Sequence, residues 1–202
     1  MPKQVDHQER RRLIADALLR VAAGNGLEAV SLRHVGAEAG VTSGMVQHYF
    51  RTKEEMLLFA LEVVGERVQH RLAAEDHTTL APAELARALL VQLLPLDAER
   101  YAEGRVALAF HAYAAVNPAI AAVLRENSAW LRSHLAELIG TAQARGHADA
   151  GIDPTSTATA LQALVEGLNL HTLGKHYPPE TALQVLDAQL DAVFHRGAAE
   201  VQ

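Results

Sequence analysis

The segment Ser31–Lys53, SLRHVGAEAGVTSGMVQHYFRTK, constrains this chain more than any other, because it reads as two short helices hinged on a glycine. Ser31 can cap a first helix that carries Leu32, Val35 and Ala39 on one face. Gly40 permits the left-handed exit that a residue with a Cβ resists, and Thr42 can cap a second short helix. Val41, Val46 and Phe50 supply the apolar contacts that lock the pair. The outer surface of the second helix is left with Thr42, Ser43, Gly44, Gln47, His48 and Tyr49, none of them a carboxylate. Small, hydrogen-bonding and ring-bearing side chains suit a groove lined with phosphates and base edges. The segment reads as a helix-turn-helix, and the expected partner is double-stranded DNA.

The rest of the chain has helical period throughout, and no stretch alternates as a strand would. About nine helices are expected. The first runs from about His7 to Ala23, with Leu13, Ile14, Ala17, Leu18 and Val21 on its apolar face, and stops at Gly24-Asn25-Gly26. The fourth opens at Thr52–Glu55 and continues to about Leu72, followed by a linker over Asp76–Ala81. Pro82 starts a fifth that Pro95 ends, and Asp97 opens a sixth with Val106, Phe110 and Tyr113 on one stripe. Asn117-Pro118 and Asp153-Pro154 are start signals for a seventh reaching Arg145 and an eighth reaching Gly174. Pro178-Pro179 precedes a ninth from Glu180 to about His195. The expected fold is all-α, with an N-terminal three-helix helix-turn-helix domain over 1–53. A larger C-terminal helical bundle follows over 54–202, and helix 54–72 bridges the two.

A net charge of −6 looks wrong for a DNA binder until the chain is divided. Residues 1–53 hold eight Lys/Arg against five Asp/Glu, a net +3, and the remainder holds ten against nineteen, a net −9. Positive charge is thus concentrated around the helix-turn-helix. There is no cysteine, which excludes disulfides and thiolate metal sites. The first residues lack the apolar run of a signal peptide, and no stretch approaches the ~18 apolar residues of a membrane span. A cytoplasmic protein without membrane contact is expected. Eleven histidines include no pair spaced four apart on a helix, and Gly24-Asn25-Gly26 follows a helix rather than a strand. Neither a metal, a cofactor nor an enzyme is expected.

From about Arg10 to Leu61 the chain closely resembles the N-terminal domain of the tetracycline-repressor (TetR) family of bacterial transcription regulators. The resemblance is carried by Ile14, Ala17 and Leu18, by Gly26-Leu27 and by Ser31-Leu32-Arg33. It continues through Ala37-x-x-Gly40-Val41-Thr42-Ser43-Gly44, Val46, His48-Tyr49-Phe50 and Lys53-Glu54-Glu55-Met56-Leu57. It implies a homodimer with a larger helical domain that dimerises and binds a small-molecule effector. The chain departs from the family's pattern at Met45, often a small or hydroxyl-bearing residue there, and at Gln47, often tyrosine. Both positions can face bases.

The residues expected at the DNA are Arg33, Thr42, Ser43, Gly44, Gln47, His48, Tyr49 and Lys53. Ser43, Gln47 and His48 are candidates for base edges, Thr42, Tyr49 and Lys53 for phosphates, and Gly44 for close backbone approach. The run Arg10-Arg11-Arg12 could reach the adjacent backbone. On the last two helices Leu161, Leu164, Val165, Leu168, Leu186, Leu190, Val193 and Phe194 are expected at a dimer interface. Asn127 and His134 interrupt an apolar stripe on the seventh helix, where a buried polar group needs a partner. Phe110, His111, Tyr113, Trp130, Glu166 and Asn169 could complete a mostly apolar effector pocket with them. The expected function is a repressor that a small, mostly apolar effector releases from a pseudo-palindromic operator. The rival reading is a helical ligand-binding or protein-interaction module without DNA affinity.

Overall fold

The computed structural model describes residues 3–74 and 80–194, with side chains from His7 onward. Among them are nine α-helices, two single 3-10 turns and no strand. The helices are α1 (Lys3–Asn25), α2 (Leu32–Ala39), α3 (Ser43–Tyr49), α4 (Lys53–Ala73), α5 (Pro82–Leu90), α6 (Ala98–Ala114), α7 (Pro118–Ala144), α8 (Pro154–Leu173) and α9 (Pro179–Phe194). The linker expected over Asp76–Ala81 lies outside the described residues up to Thr79, as does His195 at the expected end of the last helix.

Local chemistry starts most of these helices. The Ser31 hydroxyl accepts from the His34 N–H at 3.2 Å, Thr42 from Met45 at 3.1 Å and Thr52 from Glu55 at 3.0 Å. Asp97, Asn117 and Asp153 do the same for Arg100, Ile120 and Ser156 at 2.8, 3.0 and 2.8 Å. Each bond satisfies one of the N–H groups that a helix start leaves without a partner. At Asp153 the hydrogen bonding with Ser156 holds the carboxyl below its ordinary range.

Three helices end on one pattern. After α2, Gly40 donates to the Ala37 carbonyl and Val41 to Gly36; after α7, Gly146 donates to Gln143 and His147 to Ala142. After α8, Lys175 donates to Thr172 and His176 to His171. The pattern requires one residue in the left-handed region, filled by Gly40 at φ 68°, Gly146 at φ 72° and Lys175 at φ 57°. Only the last carries a Cβ into that region, which disfavours L-residues by about 1–2 kcal/mol. The His171 and His176 rings stack there at 4.9 Å, in the place where an apolar contact usually braces the motif. Lys175→Gly is therefore expected to raise stability by about 0.5–1 kcal/mol, after allowing for glycine's freer unfolded chain. An unchanged urea midpoint would show that the lysine is not strained.

The chain packs as two compact units, the first taking Met1–Arg71 with Arg105–Val123 and the second Leu72–Gly104 with Leu124–Gln202. The first holds eleven Lys/Arg against nine Asp/Glu, a net +2, and the second seven against fifteen, a net −8. In the first unit α1 packs on α2 and α3, and α2 on α3. Ile14, Leu18, Val35, Val46, Phe50, Met56 and Leu57 are all sealed from solvent. Gly36 is the tight point: a Cβ there would stand 3.0 Å from the Val41 carbonyl oxygen and 3.3 Å from the Ser43 nitrogen. That closeness lets α2 lie against the turn into α3.

The second unit has a core of Leu90, Leu94, Leu135, Ile139, Leu161, Val165, Leu168, Leu186, Leu190, Val193 and Phe194, among others. Full burial of each such side chain stabilises by about 1.5–3 kcal/mol. Seven of the eight residues expected between two copies are here, each 6% exposed or less, and only Leu164 is partly open. The apolar stripes of α8 and α9 are spent on this chain's own core. A second copy would have to meet other faces of the two helices.

Candidate nucleic-acid interface

Helix α3 is seven residues long and projects from a fixed base. Val46 is fully buried and sets the inward direction. At ~100° per residue, Gly44 and His48 point most directly away, with Met45 and Gln47 to either side. Ser43, Gly44, Met45, Gln47 and His48 are all exposed, and Tyr49 is half-buried. No acid lies on the helix. The Thr42 oxygen accepts the Met45 N–H, and its own hydroxyl hydrogen remains able to donate to a phosphate. Arg33 is exposed near the start of α2. The exposed side of α3 thus carries polar side chains beside Met45 and no negative charge, which suits a phosphate-lined groove.

Two expected phosphate anchors have additional partners. The Tyr49 ring lies 4.9 Å from the His7 ring of α1 and 5.2 Å from His48, edge-on to the latter. A row of three rings, His7, Tyr49 and His48, thus runs along this side of the unit and fixes the direction of the phenol. The Lys53 ammonium donates to the Leu27 carbonyl at 2.9 Å, tying the start of α4 to the 3-10 turn Leu27–Ala29. An ammonium has three donors, so two remain for an anion.

Two arginines of the run Arg10-Arg11-Arg12, in the first half of α1, are engaged within this unit. The Arg11 guanidinium sits 4.6 Å from the Phe50 ring centre and 4.5 Å from that of Phe59, and bonds Glu55 at 3.4 Å. Glu55 also accepts the Arg51 N–H at 2.9 Å, which holds the exit from α3. Arg12 pairs with Glu66 at 2.9 Å and Arg20 with Glu38 at 2.6 Å. Arg11 and Arg12 brace α1 against α4 within this unit. Sequence reasoning missed the contacts of His7 and of Arg11, the latter expected toward the DNA backbone, and it missed Gly36. The first two act across 42 and 39 positions, where no local pattern reports the contact, whereas Gly36 stood unexplained inside a helical pattern and could have been noticed.

The expected effector residues fall in both units. Phe110, His111 and Tyr113 belong to the first unit, where they are buried, exposed and half-buried respectively. Asn127, Trp130, His134, Glu166 and Asn169 belong to the second. Asn127 and His134 are exposed rather than on the buried side of α7. The buried line there is Ile120, Leu135, Ile139 and Ala142, and at 3.6 residues per turn Asn127 and His134 fall on its flank. Trp130, 53% exposed, stacks on His134 at 4.6 Å. On α8 the Glu166 carboxylate accepts from Gln162 at 2.7 Å, and Gln162 accepts from Arg132 at 3.3 Å. The Asn169 side-chain oxygen is buried without a hydrogen-bond partner, close against Gly104, where a Cβ would lie 2.7 Å from it. Among the described residues no three His, Asp or Glu side chains are grouped to hold a metal ion, and no helix is long and apolar enough to cross a membrane.

Residues 14–59 match the family of bacterial regulatory proteins called tetR, and residues 82–195 match the C-terminal domain of BetI-type transcriptional repressors. The HTH-type transcriptional regulator PksA of Bacillus subtilis (strain 168) is 35% identical over 174 residues, covering 86% of this chain and 83% of that protein. A transcriptional regulator from Rhodococcus sp. Rha1 superposes with a TM-score of 0.81 at 36% identity, covering 91% of this chain and 95% of that one. Another, from Saccharomonospora viridis in complex with choline, gives a TM-score of 0.84 at 25% identity, covering 91% and 96%. With a helix-turn-helix built on Gly36 and Gly40 and both halves of the chain matched, this protein is a DNA-binding transcriptional regulator of the TetR family.

Proposed function

We propose that the protein is a homodimeric repressor that seats α3 of each copy in the major groove of a pseudo-palindromic operator and is released by a small molecule. The observation that carries the reading is the exposed, acid-free outer face of α3, held rigid by buried Val46 and the Thr42 cap. Ser43, Gln47 and His48 read base edges, Gln47 having the paired donor and acceptor that suit adenine. Arg33, Thr42, Tyr49 and Lys53 hold phosphates, and Gly44 lets the backbone come close. One head is too small for tight specific binding, so two copies engage half-sites about one helical turn or more apart.

The second copy is met through the outward faces of α8 and α9. There Ala160, Ala163, Gly167 and Leu170 on α8, and Val185, Ala188 and Ala192 on α9, are exposed at helical spacing. Small side chains let helices approach closely, and Leu170 and Val185, 46% and 41% exposed, add apolar surface to bury. The effector is small and largely apolar; the choline bound by the Saccharomonospora viridis relative, a quaternary ammonium cation, is a precedent for a small ligand and not for an apolar one. The residues for its site are the polar set on α8, Glu166 and Asn169, and the aromatic surface of Trp130 and His134 on α7. Asn127 on α7 completes the candidates of this unit. Release follows if the effector binds one of two conformations better, and by linkage the operator then weakens effector binding equally.

A salt titration tests the DNA reading. If Arg33 and Lys53 of two copies each neutralise one phosphate, log affinity falls against log salt with a slope of about −4. The assay uses a duplex enriched from a random library, with the masses of the free protein and of its complex with the duplex measured by light scattering. A slope near zero, or a monomer on DNA, would overturn the proposal.

A further inference from the structure

Met45 is the odd residue on the outer side of α3. Its side chain is 42% exposed, while its exposed neighbours on the helix are polar or glycine. Its direction is set from the first turn, because its N–H is bonded to both the side-chain and the main-chain oxygen of Thr42, at 3.1 and 3.0 Å. Gly44 beside it has no side chain, so the outward neighbour of the thioether on this helix is His48, one turn on. Nor is Met45 a core residue displaced by crowding: Val46 fills the inward position and is fully buried.

A thioether stem has no N–H or O–H to donate, and its sulfur is a weak acceptor. It gains from a duplex chiefly by meeting apolar surface. On the base edges of the major groove the largest such surface is the 5-methyl group of thymine, whereas most other exposed groups there are hydrogen-bond donors and acceptors. An unbranched side chain with three torsions can adapt to the methyl without fixed stacking geometry. We infer that Met45 is a specificity-determining residue that recognises one thymine in each half-site through its 5-methyl group. This deepens the proposed seating of α3 in the major groove and rests on it. Gln47, on the other flank of the helix, would read a different base.

Thymine-to-uracil replacement removes that methyl and leaves every hydrogen-bonding group in place. The full chain is used to enrich a duplex from a random library, and each thymidine is then replaced by deoxyuridine, in one half-site and in both. Affinity is measured by fluorescence anisotropy at fixed salt. One position is expected to weaken the unmodified protein about 4-fold when replaced once and about 15-fold when replaced in both half-sites. Met45→Ala should bind the thymidine duplex more weakly and no longer distinguish uracil from thymine there, while Met45→Leu should keep most of the discrimination. Because Met45 is exposed, Met45→Ala should melt as the parent does.

The inference is overturned if no thymine is sensitive, or if Met45→Ala keeps the parent's ratio. It is equally overturned if Met45→Ala weakens all duplexes alike, which would assign the side chain to sugar packing. Failure to enrich any duplex is a different outcome. It would remove the DNA-seating proposal itself, and this inference with it.

Discussion

Phe50→Ala is expected to lower stability by about 3–5 kcal/mol and to abolish specific DNA binding with it. The ring is fully buried where α3 gives way to α4, 5.6 Å from Phe59. Removing it leaves a cavity beneath the reading helix. It also removes one of the two aromatic faces that hold the Arg11 guanidinium, whose Nε is buried without a hydrogen-bond partner. A half-buried cation over a ring is stabilised by about 0.5–2 kcal/mol, so the cavity and the cation add to one another. Phe50→Leu separates the two effects, since it restores most of the volume but not the aromatic face. Urea unfolding should place it between the parent and Phe50→Ala. A loss below about 1 kcal/mol for the alanine variant would mean that the first unit can collapse around the site.

Gln47→Ala is expected to act on the exposed face of the same helix and to leave stability untouched. Gln47 is exposed, about 100° around the helix from the buried Val46, and contributes nothing to the core. A two-pronged contact to a base discriminates by about 1–3 kcal/mol, and a dimer makes it twice. Affinity for the enriched duplex should therefore fall by about 30-fold or more, while weak binding to unrelated DNA at low salt is kept. The parent's preference at one base pair per half-site should relax together with it. A fall of less than about 3-fold, with sequence preference intact, would take Gln47 out of base readout. The contrast between the variants matters: one fails because the head loses its shape, the other because the head keeps its shape and loses a contact.

Helix ends were the most legible part of the chain. Ser31, Thr42, Thr52, Asp97, Asn117 and Asp153 cap the helices they were expected to cap, within 3.2 Å in every case. A cap is a contact over three residues, so the information lies in the residues themselves. Gly40 was legible for the same reason. The α8 terminus was located near Gly174, but the left-handed position falls on Lys175, because the hydrogen-bond pattern rather than the residue preference decides where the chain turns.

Periodicity identified apolar faces but not what covers them. Leu161, Val165, Leu186 and Leu190 were expected between two copies, and they lie in the core of one. A moment along a helix is the same whether its partner belongs to the same chain or to another. Asn127 and His134 were expected inside, yet they lie outside, since a flank residue about 80–100° from the centre of a stripe is buried only if a neighbouring helix reaches it.

Composition, local caps and helical period by themselves determined an all-α chain with a basic, glycine-hinged head. Those signals act over one or two turns and survive in any arrangement of the helices. Only tertiary structure decided that Arg11 is held between Phe50 and Phe59, that His7 braces Tyr49, and that the apolar sides of α8 and α9 face inward. Those contacts join residues far apart in the chain, and they depend on how packed helices divide a limited amount of buried surface, which no single segment encodes.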